Sequence, residues 1–261
     1  MTETLKQHWP EYLMEAAELA TFMISAVLVT TALDHPASPV RQALDSPWLR
    51  RLITGLVMGA TAILLVRSPW GRQSGAHMNP SLTLTFFRLG KIAPWDAAFY
   101  VGAQFAGAVA GIAVASVLIG PSIGIPEVNY VATKPGTTGP GIAFVAELTI
   151  SFVLMMAVLT LSNTMRLARL TPFVVGALVA TYITIEAPLS GMSMNPARTF
   201  GPALFGQIWD SLWVYFAAPP IGMLLAAEAY VRIHARGAAA IWCAKLHHDS
   251  DSRCIFRCAH P

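Results

Sequence analysis

One short motif occurs twice in this chain, and few folds can use it both times. Ser74-Gly75-Ala76-His77-Met78-Asn79-Pro80-Ser81 and Ser190-Gly191-Met192-Ser193-Met194-Asn195-Pro196-Ala197 both read Ser-Gly-x-x-Met-Asn-Pro-small, and each lies between long apolar runs. Asn caps free backbone N–H groups at a helix start, and Pro is tolerated at the first helical position. The helices that follow are short: Asn79 to Arg88 is about ten residues and Pro196 to Gly206 about eleven. At 1.5 Å per residue each covers roughly half of a bilayer's hydrocarbon core. Two capped half-helices aim two positive dipole ends at a shared centre.

The surrounding chain belongs in a membrane. Its residues are 55% hydrophobic and 12% charged, where a soluble domain carries about 25% charge. Residues 97–126 lack any charge, as do 19–33, 148–165, 170–185 and 211–227. These runs are near the ~20 residues a spanning helix needs. The net charge of +3 is small and sits mostly in loops and the tail, so no nucleic-acid partner is expected. Glu11, Glu15 and Glu18 precede the first apolar run in place of a basic n-region, which predicts an uncleaved first helix.

The expected order is a frayed polar segment over 1–10, six spanning helices, two half-helices and a polar tail over 235–261. The spans are read at 12–33, 48–66, 94–119, 142–163, 172–186 and 210–234. Ala17-Glu18-Leu19 opens the first and Ala146-Glu147-Leu148 the fourth, so the membrane body, 11–234, divides into repeats of about 11–120 and 140–234. Three spans per half is an odd number, so the second half inserts upside down, as in transporters with broken helices. Glycine and alanine at four-residue spacing, as at Gly55 and Gly59 or Gly107 and Gly111, predict close helix packing. Arg67, Arg72, Arg88, Lys91, Arg166, Arg169, Arg232, Arg236 and Lys245 are expected on one side and Lys134 on the other, which places both termini on the cytoplasmic side of a cell's inner membrane. The loop at 34–51, with Arg41, Arg50 and Arg51, runs against this trend.

Cys243, Cys254 and Cys258, the three cysteines, all lie in the tail beside His247, His248 and His260. Their spacing fits no common zinc pattern. A reduced, solvated cytoplasmic tail is expected, with no metal and no cofactor. No nucleophile–base pairing points to an enzyme.

At the double Asn-Pro motif the chain resembles the aquaporin family, the major intrinsic proteins. The resemblance covers about residues 11–234 and rests on Ser-Gly-Ala-His-x-Asn-Pro at 74–80 and Asn-Pro-Ala-Arg-x-Phe-Gly-Pro at 195–202. It implies an all-α membrane fold of six tilted helices and two re-entrant half-helices in an inverted repeat. Four such subunits would assemble, each with its own pore for water and small neutral solutes. Asn79, Pro80, Ser81, Asn195, Pro196 and Ala197 would form the pore motifs; Ser81 departs from the family's usual Ala. Gly75, Ala76 and His77, with Gly191, Met192 and Ser193, would present carbonyl acceptors. The Asn79 and Asn195 oxygens would cap the half-helices and leave amide N–H donors at the pore centre. Glu18 and Glu147, acids inside the membrane that also invite a proton-relay reading, would instead hold the two loops through backbone N–H bonds.

The same resemblance gives four selectivity positions: Arg198, Met192, Ile183 by a count of twelve back from Asn195, and either Met58 or Gly59. Ile183 stands where strict water channels carry His, so the filter reads as wide or apolar. Thr199, Ala203, Tyr215 and Phe216 are closer to the water-channel pattern and point the other way. The expectation is a water channel whose filter admits glycerol, urea, ammonia or undissociated metalloid acids while excluding ions and protons. A coupled secondary transporter and a non-conducting scaffold are the alternatives.

Overall fold

The structure, a computed structural model, describes residues 1–234, 241–247 and 252–258. His248, His260 and Arg236 lie outside them. Eleven α-helices follow one another: α1 (Thr2–Asp34), α2 (Pro39–Ala43), α3 (Pro47–Arg67), α4 (Pro69–Ser74), α5 (Pro80–Arg88), α6 (Pro94–Ile119), α7 (Pro140–Ser162), α8 (Thr171–Ile185), α9 (Ala187–Ser190), α10 (Pro196–Gly206) and α11 (Leu212–Ile233). Among the described residues six segments, carried by α1, α3, α6, α7, α8 and α11, are long and apolar enough to cross a membrane. Pro stands in the first turn of nearly every helix that begins inside or beside the bilayer. There its missing N–H costs no hydrogen bond.

The packing obeys the repeat. The largest contacts join α1 to α6, α7 to α11, and α3 to α8. The first two pairs are equivalents across the two halves, and the third links one half to the other. In each pair a glycine removes the side chain that would separate the backbones. A Cβ on Gly107 would lie 2.2 Å from Ala16 O, one on Gly222 2.4 Å from Leu148 O, and one on Gly59 2.5 Å from Gly176 O. Helix association in lipid depends on such close backbone approach. Val117, Leu118, Leu64 and Ile233 are left largely exposed on the outside.

Two expectations change. Residues 2–10, read as frayed, form the first turns of α1. His8 Nδ1 lies 2.7 Å from Asp96 Oδ1, and Tyr12 donates to the same oxygen at 2.6 Å, which ties these turns to α6. The tail, read as solvated, is packed: Ile241, Cys243, Ala244, Lys245, Leu246 and Phe256 are buried.

Candidate functional site

The half-helices α5 and α10 meet at their N-termini. Asn79 Oδ1 accepts from Ser81 N–H at 2.9 Å. Asn195 Oδ1 accepts from Ala197 and Arg198 N–H at 3.0 and 3.2 Å. Each amide then reaches across: Asn79 Nδ2 donates to Met194 O at 2.7 Å and Asn195 Nδ2 to Met78 O at 2.6 Å. An amide NH₂ has two hydrogens. One is therefore spent on this crossed brace, and the other is left for whatever occupies the cavity beside it.

The loops leading into the half-helices share one backbone pattern. Gly75, Ala76 and Met78 have positive φ, and so do their counterparts Gly191, Met192 and Met194. Each non-glycine residue in that region costs of order 1–3 kcal/mol, so the loops need anchoring. Glu147 anchors the second loop: its Oε1 accepts from Ser190 Oγ and Ser193 N–H, its Oε2 from Met194 N–H, all at 2.7 Å. In the first half this work is divided, and the reading of Glu18 needs correction. Among the described residues Glu18 accepts only from Ser74 Oγ, on Oε1 at 3.1 Å and on Oε2 at 3.3 Å. The backbone bonds go to Glu15, whose Oε1 takes His77 N–H at 2.8 Å and whose Oε2 takes Met78 N–H at 2.7 Å. Glu15 lies one turn before Glu18 on the same face of α1, and that three-residue offset was the sequence signal for it. Tyr100 and Tyr215 complete the symmetry by donating to Ser74 O and Ser190 O.

A cavity of about 400 Å³ runs past the brace. Asp34, Arg51 and Glu127 line one end; Val66, His77 and Leu246 line the other; Asn79 and Asn195 lie between. Ala76, Gly191, Met192, Ser193, Arg198, Ile183 and Met58 also line it. Met58, and not Gly59, therefore faces the cavity, because Gly59 is turned onto the α8 backbone. Arg198 donates to Val131 O at 3.0 Å, which fixes its guanidinium in the wall. Pro80, Ser81, Pro196 and Ala197 are buried in the first turns of the half-helices. Arg51, grouped from sequence with the basic loop at 34–51, belongs to the wall. It stands seven residues before Met58, so two helical turns put both on one face. Glu186, just past α8, has both carboxyl oxygens buried with no hydrogen-bond partner among the described residues. Burial, with the charge of Glu147 adding to it, pushes its pKa up to about 7.

Gly75 departs from expectation. It is absent from the cavity wall, and its carbonyl accepts Leu246 N–H at 3.1 Å. The tail crosses this end. Trp242 N–H donates to Asn163 Oδ1 at 2.6 Å, Arg257 N–H to Lys91 O at 2.9 Å and Ser252 Oγ to Arg72 O at 2.9 Å. His77 Nε2 lies 2.6 Å from Ala244 O, and its ring is stacked between Phe86 and Phe256 at 5.3 and 5.4 Å. Ile241, Leu246 and Phe256 were the sequence signal for this docking: large apolar residues interspersed with the tail's charged ones.

Comparison with known proteins agrees with this geometry. The family model described as "Major intrinsic protein" matches residues 6–230. "Probable aquaporin NIP7-1" of Arabidopsis thaliana is 34% identical over 69% of this chain and 64% of its own length. "Aquaporin A" of Dictyostelium discoideum is 32% identical over 69% of this chain and 65% of its own. The chain thus spans slightly less than two thirds of these curated relatives. Among solved structures, the aquaglyceroporin from Plasmodium falciparum superposes with a TM-score of 0.69 at 20% identity, covering 85% of this chain and 95% of that one.

Proposed function

The chain belongs to the major intrinsic protein family, and we propose that it forms a passive pore for water that also admits small uncharged solutes and excludes ions and protons. The observation that carries this reading is the crossed Asn79–Asn195 brace at the joined helix N-termini, in the wall of a continuous cavity. Each Asn offers its remaining N–H to a passing oxygen. The half-helix dipoles add partial positive charge at the same point, which repels cations. Water-selective pores are known to use half-helix dipoles in this way. Arg198 adds a full positive charge further along.

The remaining lining decides the solute. Ile183, Met192 and Met58 give Arg198 apolar company, and Met adapts its shape to what it meets. Glycerol, urea, ammonia and undissociated metalloid acids are the neutral solutes of suitable size and polarity. The protein is read as a homotetramer in the cell's inner membrane with both termini cytoplasmic, in support of which the basic loops and the tail share one side.

Stopped-flow shrinkage of proteoliposomes tests the proposal across a panel of these solutes, with a pH-sensitive dye inside to record proton leak. Fast, unsaturated water flux without an ion requirement and without proton entry is expected. Saturable flux that needs an ion gradient would identify a coupled transporter, and no flux above empty vesicles a scaffold.

A further inference from the structure

The tail strap packs across one end of the cavity, and its three cysteines meet there. Leu246 lines the cavity, and Phe256 covers His77. Cys243 stands beside Ala244, the acceptor for His77, and Cys254 is two residues from Phe256. The two strap segments, 241–247 and 252–258, are joined by a Cys243–Cys258 disulfide. Cys254 Sγ lies 3.1 Å from Cys258 Sγ and 3.6 Å from Cys243 Sγ. All three sulfurs fall within 4.8 Å of one another.

We propose that Cys243, Cys254 and Cys258, once reduced, bind a thiophilic divalent cation of the zinc class, and that the bound ion holds the strap shut across the pore mouth. The pore half of this inference rests on the function proposed above. Zinc takes thiolates at about 2.3 Å in tetrahedral geometry, which sets neighbouring sulfurs about 3.8 Å apart. Cys254 is within an ångström of that spacing from both of its partners, and breaking the disulfide lets the third pair open. The fourth corner is left to water. Three thiolates favour zinc over the hard cations magnesium and calcium, which take oxygen ligands. Spacing along the chain hid this site because the fold, and not a local loop, brings Cys243 to the other two.

The chemistry has two steps. A phosphine reductant gives up two electrons and takes the oxygen of one water to become the phosphine oxide, and that water's two protons complete the two thiols as the Cys243–Cys258 bond is cleaved. The three thiols then release their protons to the buffer as three sulfur–metal bonds form. Because the ligands come from both strap segments, the ion ties together the stretch that carries Leu246 and the stretch that carries Phe256.

The test uses the full chain, reduced with a phosphine and freed of the reductant. Equilibrium dialysis against buffered zinc is expected to leave one ion per chain. Cobalt in its place is expected to give a sulfur-to-cobalt charge-transfer band in the near ultraviolet. Cys254→Ser is expected to lose both signals while retaining its helical circular dichroism. In proteoliposomes with zinc on both faces, reduced wild type is expected to lose most of the water flux it shows metal-free, and Cys254→Ser to be unaffected. Zinc retention by Cys254→Ser or by the oxidised protein equal to that of reduced wild type overturns the three-thiol site. Zinc retained without change in flux overturns the closing role. Failure of the pore reading would appear separately, as absence of flux in the reduced metal-free protein.

Discussion

Replacing Glu15, Glu18 and Glu147 one at a time by Gln separates the loop anchoring seen here from the arrangement the repeat suggests. Glutamine keeps one acceptor oxygen and turns the other into an NH₂ donor. At Glu147 the retained oxygen keeps Ser190 Oγ and Ser193 N–H, while Met194 N–H faces a second donor. A hydrogen bond to a charged group contributes about 1.5–3 kcal/mol, and a buried donor left unpaired costs about 1–3 kcal/mol. The two descriptions overlap, so the loss is about 3 kcal/mol. Glu15→Gln loses one of two backbone bonds in the same way and sets its NH₂ against the Gln104 amide, again about 3 kcal/mol by that reasoning. Glu18→Gln keeps an oxygen that the Ser74 hydroxyl reaches by rotation, so its cost is no more than about 1 kcal/mol. In a chain of this size each kcal/mol moves the unfolding midpoint by about 2–4 °C. Thermal melts in detergent are therefore expected to fall by about 6–12 °C for Glu15→Gln and Glu147→Gln, and by no more than about 4 °C for Glu18→Gln. Water flux per folded protein is expected to follow the same order. A Glu18→Gln shift as large as that of Glu15→Gln refutes the division of labour.

Other outcomes follow from the same geometry. Ile183→His adds a polar ring to the cavity wall; since one such contact discriminates by about ten- to two-hundred-fold, glycerol or urea permeability relative to water is expected to fall about tenfold or more, and an unmoved ratio would take Ile183 out of the filter. Asn195→Asp removes the donor that meets Met78 O; reduced water flux with a cation leak is expected in the proteoliposome assay, and unchanged flux per folded protein would place the constriction elsewhere. Gly59→Val forces a side chain into a 2.5 Å approach on Gly176 O, so overpacking is expected to cost about 1–3 kcal/mol or more, read as a lower melting midpoint; an unchanged midpoint would refute the tight α3–α8 contact. The Glu186 carboxyl, held at about 7 against an ordinary 4.5, favours the folded state when neutral. That contribution is complete below pH about 4.5 and is lost as pH rises to about 7, up to about 3 kcal/mol in all. Melting midpoints over that window should flatten in Glu186→Gln, and equal slopes in the two proteins would refute it.

The sequence by itself determined what depends on local chemistry and on period. Asn-Pro fixed where each half-helix begins, because a cap and a pre-set φ act within one turn. Charge-free runs between basic loops fixed the six spans, because the cost of a charge in hydrocarbon is paid wherever the chain crosses. The repeated motif with its shared flanks fixed the inverted halves. The tertiary structure alone decided what depends on which side of a helix meets which neighbour. Met58 and Gly59 are adjacent in sequence, and only the packing of α3 on α8 turns one to the cavity and the other to a backbone. Glu15 and Glu18 are both glutamates and both fully buried, and the rotation of α1 about its axis gives the backbone bonds to the first. The tail mixes charged and apolar residues with no helical or strand period, and its Ile241, Leu246 and Phe256 find burial only once the fold presents a surface that matches them. Cys243 stands eleven residues before Cys254, a spacing with no local period to announce it, and only the docked strap brings the two sulfurs together.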